Sequence, residues 1–143
     1  MKAIRFLTIL LGCCMIYTHS TAQSSGSEIQ FENNQVSIST ETLDCIDASK
    51  GTAKQCLSLI VSNKLDQPIS VSFKREMWFG SKCLNCNSDS KEYISQIELG
   101  ANETKTGDCS SSKQLLIFSK MLELKGVREL THFEIKNINI QEL

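Results

Sequence analysis

The chain has 143 residues, a formal net charge of −1, 41% hydrophobic and 22% charged residues, one Pro and seven Cys. Such a length fits one domain, since a domain commonly takes about 100–200 residues, and the ordinary apolar content excludes a disordered or collagen-like chain. The balanced charge offers no electrostatic footprint for nucleic acid, so the cysteines are the one unusual feature of the composition.

The chain opens with the three regions of a secretory signal peptide. Lys2 and Arg5 are basic, Phe6–Tyr17 is apolar, and Thr18–Ala22 is small and polar. Ser20 and Ala22 then occupy the −3 and −1 positions of a cut before Gln23, and the end of this segment resembles those of Bacteroidetes-type bacteria. The apolar run is shorter than the roughly 20 residues that span a bilayer, and no later run is longer. A competing cut exists, because Leu10-Leu11-Gly12-Cys13 resembles a lipobox and would make Cys13 a lipidated N-terminus on the cell envelope. Cleavage after Ala22 leaves 13 Lys+Arg against 16 Asp+Glu, a net charge of −3. It leaves His132 as the sole histidine, and Cys45, Cys56, Cys83, Cys86 and Cys109 as the cysteines.

Residues 23–27 (QSSGS) form a polar, flexible leader, and the domain runs from 28 to 143. Its period is mostly two, the mark of strands with one buried face. Val36, Ile38 and Thr40 alternate with polar residues. So do Leu57, Leu59 and Val61, and then Ile69, Val71 and Phe73. Asp66 and Pro68 form a turn between the last two runs, which predicts a hairpin of Cys56–Asn63 with Ile69–Phe79. Tyr93–Leu99 is a further strand, followed by a turn at Gly100-Ala101-Asn102. The apolar residues of Gln114–Leu124 fall all round a helical wheel, so a strand is favoured over a helix. Thr131–Leu143 alternates with a slip of phase that a bulge near Lys136-Asn137 would reconcile.

These elements predict an all-β chain: a single antiparallel β-sandwich of six to eight strands, immunoglobulin-like in the broad sense. Asn63–Phe73 and Ile97–Thr104 are similar to stretches of bacterial immunoglobulin-like modules in general, over less than half of the chain. The Cys…Trp…Cys spacing of true immunoglobulin domains is missing.

The predicted hairpin brings Cys56, Cys83 and Cys86 to one end. Cys45 stays near them through the polar linker Ile46–Gln55, whereas Cys109 joins only if Thr104–Cys109 returns. Export makes disulfides the default for these five candidates. The preferred pairing is Cys45–Cys56, with Cys109 bonded to Cys83 or Cys86. The odd thiol is free or links two chains. Cys83-Leu84-Asn85-Cys86 is also a C-x-x-C motif, so the competing function is a metal-binding or redox protein using Cys83, Cys86 and Cys109. Zinc would need Cys45, Cys56 or His132 as a further ligand, and a redox motif would ordinarily follow a strand in a βαβ context.

Other candidates are thin. Asn85, Asn87 and Asp89 have part of a calcium-loop spacing, but Ser90 and Gln96 stand where Gly and Glu are required. No hydrolase, zinc-protease or phosphate-loop motif accompanies His132, which reads as a strand residue. Asn102-Glu103-Thr104 is a glycosylation sequon, relevant to a eukaryotic host alone. Trp78 shares the even face of its strand with Lys74 and Glu76, whereas Arg75 intrudes on the apolar odd face. Either a bulge near Arg75 reverses the phase, or Trp78 points away from the main core, exposed or covered by the Gly80–Glu92 loop. Trp78 with Arg75 and Lys82 is the candidate partner-binding group, suited to a protein or a glycan. The leading expectation is an exported, non-enzymatic binding, adhesion or envelope-interaction module without a cofactor.

Overall fold

A computed structural model describes residues 26–110, 113–124 and 126–143. The signal segment, with Cys13 and the cut before Gln23, lies outside the described residues. Strands make up 61% of the described residues, and no α-helix occurs among them. In chain order they are β1 (Glu28–Glu32), β2 (Val36–Asp47), β3 (Thr52–Asn63), β4 (Ile69–Phe79), β5 (Lys82–Cys83), β6 (Ile94–Leu99), β7 (Thr104–Thr106), β8 (Leu116–Met121) and β9 (Leu130–Glu142). A 3-10 turn, Lys91–Tyr93, precedes β6. No helix among the described residues is long and apolar enough to cross a membrane.

Every strand pairing is antiparallel, and the strands form two curled sheets. In the first, β2 lies between β1 and β3, and both β7 and β8 pair with β3. In the second, β4 pairs along its whole length with β9 and, in two separate stretches, with β6 and β5. One core draws on both sheets: Val36, Ile38, Leu59 and Val61 from the first, and Ile69, Val71, Phe73, Ile97 and Leu99 from the second. Of these, Val36, Ile38, Leu59, Val61, Ile69, Val71 and Phe73 are residues that the period-two pattern assigns to buried faces. The strand over 114–124 is present as β8. The slip in the last strand is a bulge: Ser72 pairs with Asn139 and Lys74 with Lys136, and Asn137 has φ 51°. Asn tolerates that left-handed conformation better than most residues.

The predicted hairpin of β3 with β4 does not form. The two strands lie in opposite sheets, and residues 64–68 carry the chain between them. Asn63 directs this crossing. It is 4% exposed, and its Nδ2 donates to the carbonyls of Gln67 (2.8 Å) and Gly100 (2.7 Å). Its Oδ1 accepts from the Leu65 amide, and its own amide donates to Glu103 O. The end of β3 is thus committed to the 100–103 turn. Crossing also lets the apolar residues of β3 and β4 join one core.

The expected linker Ile46–Gln55 is likewise mostly strand. β2 and β3 form a long hairpin whose loop is residues 48–51. Asp47 Oδ1 accepts hydrogen bonds from the Ser49 amide, the Ser49 hydroxyl and the Lys50 amide, and Gly51 closes the loop with φ 59°. Glycine adopts that conformation without a Cβ penalty. The Ser49 and Lys50 hydrogen bonds and the nearby Lys50 charge pull the Asp47 carboxyl down to about 2.

Candidate functional site

The cysteine pairing differs from the expected one. Cys45 is bonded to Cys109, Cys83 to Cys86, and Cys56 is a free, buried thiol. The reason lies in register. Cys45 stands opposite Lys54, and Cys56 opposite Leu43, so the two cysteines are diagonal neighbours on one outer face of the β2–β3 hairpin. Diagonal Cα atoms are roughly 7–8 Å apart, beyond the usual reach of a disulfide. Cys109 instead comes to within 5.5 Å (Cα–Cα) of Cys45. The connection that carries it leaves and rejoins the edge of β3 at one residue: Gly107 N–H donates to Leu59 O and Leu59 N–H to Leu115 O. Ser58 Oγ donates to Gly107 O on the face that Cys45 and Cys56 share. Burial pushes the Cys56 thiol up. The two disulfides indicate an oxidising environment for the folded chain.

Cys109 therefore lies apart from the C-x-x-C pair. No cluster of three or more His, Cys, Asp or Glu side chains able to hold a metal ion occurs among the described residues. Asn85, the first residue of the calcium-like spacing, is 2% exposed and turned to β4, where it bonds the Met77 amide and the Arg75 carbonyl.

Arg75 and Trp78 occupy opposite faces of β4. Arg75 stays on the core-facing row and is 7% exposed. Its Nη1 donates to Lys113 O (2.8 Å) and Leu116 O (3.5 Å), and its Nη2 to Glu92 O (2.8 Å). Its Nε has no hydrogen-bond partner, and burial lowers its pKa. The side chain staples the segments around Glu92 and 113–116 to β4, and is not beside Trp78. Lys82 is exposed in β5, opposite Phe79.

Trp78 faces outward and half-buried, with its ring 4.7 Å from that of His132 and tilted by 53°. The cross-strand pairs Trp78–His132, Glu76–Glu134 and Lys74–Lys136 form a ladder on the outer face of the second sheet. Like charges directly opposed would repel, and here each finds its partner along its own strand. Lys74 Nζ lies 3.2 Å from Glu76, Glu134 Oε1 lies 2.9 Å from His132 Nε2, and Glu134 Oε2 pairs with Lys136. Lys136 and His132 hold the Glu134 carboxyl below its ordinary value, and Glu134 raises Lys136.

Beside this ladder, a cleft of about 590 Å³ runs along β9. Leu57, Leu130, Phe133 and Ile135 supply apolar walls, while Glu28, Gln30, Ser119, His132, Glu134 and Lys136 supply polar ones. Among the described residues β9 pairs with β4 alone, which leaves its other edge open. The His132–Glu134–Lys136 row is missing from the sequence-level candidates. Its signal was the alternation of 131–143, which places these three on one face before the bulge.

Comparison with known protein families, with curated proteins and with solved structures finds no match for the chain.

Proposed function

We propose that the chain is an exported, non-enzymatic β-sandwich, immunoglobulin-like in the broad sense, that works as a binding, adhesion or envelope-interaction module. Its partner is an extended segment of another protein, taken up along the open edge of β9. The observation that carries this reading is the coincidence of that edge with the 590 Å³ cleft. An added strand gains affinity from main-chain hydrogen bonds, and alternate side-chain pockets give specificity. The cleft offers both kinds of contact: Phe133 and Ile135 for apolar side chains, and Glu134 with Lys136 for charged ones. Trp78 and His132 would form an aromatic border at the start of β9, in keeping with the enrichment of aromatics at interfaces. The two disulfides and the signal-like N-terminus support export. Anchoring through Cys13 is a second form of the same reading, and the mass of the mature N-terminus separates the two.

The test is selection from a displayed peptide library, run beside a glycan array, with the bound state mapped by hydrogen exchange. The expected result is an extended peptide that protects amides of 130–142 and changes Trp78 fluorescence. Peptides that protect other strands, glycan binding alone, or no binder of either kind would refute the edge-binding reading.

A further inference from the structure

Cys83 and Cys86 are separated by two residues, Leu84 and Asn85, and bonded to each other at the margin of β4. The loop does not depend on that bond for its place. Leu84 N–H donates to Met77 O at 2.8 Å, Met77 N–H donates to Asn85 Oδ1 at 3.0 Å, and Asn85 Nδ2 donates to Arg75 O. Asn85 thus acts as a short piece of strand beside β4, and its 2% exposure protects those bonds from water. These bonds tie residues 84 and 85 to β4 independently of the disulfide.

The Cys83 sulfur already has a backbone hydrogen-bond donor beside it. Cys86 N–H donates to Cys83 Sγ at 3.0 Å. Lys74 Nζ, in a side chain 13% exposed, donates to Cys86 O at 3.0 Å and brings a positive charge beneath the loop, shared with Glu76. Lys82 adds an exposed cation in the adjacent position. A hydrogen-bond donor and cations lower a thiol pKa and make it a better leaving group. A shallow hollow of about 270 Å³ is lined by residues 83–88. At its rim Leu84 is 49% exposed, an apolar contact for a polypeptide.

We propose that Cys83–Cys86 is a thiol–disulfide exchange site that oxidises a pair of cysteine thiols in another polypeptide. A substrate thiolate attacks Cys83 Sγ, the Cys83–Cys86 bond breaks, and Cys86 leaves as a thiolate that takes a proton from water. The second substrate thiolate then attacks the substrate sulfur of the mixed disulfide. Cys83 leaves as a thiolate, received by the Cys86 amide, and the substrate acquires a disulfide. Two electrons pass from the substrate dithiol to the Cys83–Cys86 pair, and a low-molecular-weight disulfide such as oxidised glutathione restores it. The site is separate from the β9 cleft, stands without the binding reading, and replaces its non-enzymatic part with an exchange activity.

The test equilibrates the exported protein with graded mixtures of reduced and oxidised glutathione, followed by alkylation and peptide mass analysis. Cys83 and Cys86 should become reduced at mixtures that leave Cys45–Cys109 oxidised. In the reduced pair at pH 6, Cys83 should be alkylated at least tenfold faster than Cys86. Cys86→Ser should accumulate a mixed disulfide at Cys83 with a dithiol peptide. Co-reduction of the two disulfides, or equal alkylation of the two thiols, overturns the proposal. Both of these measurements use the unaltered protein, so they decide the matter even if the variant fails to fold.

Discussion

The two disulfides differ in sequence span, and this makes a sharp prediction about stability. A cross-link stabilises mainly by removing freedom from the unfolded chain, and the gain grows with the logarithm of the loop closed. Cys45–Cys109 has a separation of 64 and Cys83–Cys86 a separation of 3. The chain-entropy expression gives about 4 kcal/mol for the first and about 1.6 kcal/mol for the second. Cys45→Ser with Cys109→Ser also frees the connection that covers Cys56 and Ser58, which are 2% and 0% exposed. At about 4 °C per kcal/mol for a domain of this size, the melting temperature should fall by about 15 °C in that double variant. It should fall by about 6 °C in Cys83→Ser with Cys86→Ser, on the same scale. Thermal unfolding followed by circular dichroism under non-reducing conditions measures both. Counting thiols in denaturant supplies the control, since Cys56 is the one free cysteine among the described residues. Equal falls in the two double variants would refute the reasoning.

Gly107→Ala should cost about 1–3 kcal/mol, the usual range for overpacking, visible as a lower urea midpoint. Its new Cβ would lie 2.1 Å from the Leu115 carbonyl oxygen, where backbone meets backbone. Arg75→Lys should destabilise by about 2 kcal/mol, because a single ammonium cannot reproduce a planar fork aimed at separate carbonyls; an unchanged urea midpoint would show that the staple is not needed. Asp47, held at about 2 against 3.8 when free, stabilises the fold above pH 4, and that contribution disappears as pH falls through 2. Asp47→Asn should therefore flatten the fall in urea midpoint between pH 4 and 2, and an unaltered slope would remove Asp47 from the acid transition.

The alternation of side chains determined much of this molecule before any long-range contact. It specified the central parts of β2, β3, β4, β6, β8 and β9, most of their buried residues, the bulge beside Lys136 and the turn at 100–102, but not β1, β5, β7 or the strand that continues through 46–47 and 52–55. It also marked Arg75 as a charge on an apolar row, without revealing the carbonyls of Glu92, Lys113 and Leu116 that receive it. A period of two encodes which face of a strand is buried, because that depends on side chains alone. It does not encode which strand lies alongside, because ladder hydrogen bonds join backbones that are chemically alike. The partners of β3 and β4 were therefore settled by tertiary structure, with Asn63 tying the end of β3 to the 100–103 turn. The cysteine pairing followed from the same decision. Seven cysteines were legible in the sequence, five of them among the described residues, but a disulfide requires Cα atoms within a few ångströms. Register alone made Cys45 and Cys56 diagonal neighbours, and only the return of the β7–β8 connection brought Cys109 within bonding distance of Cys45.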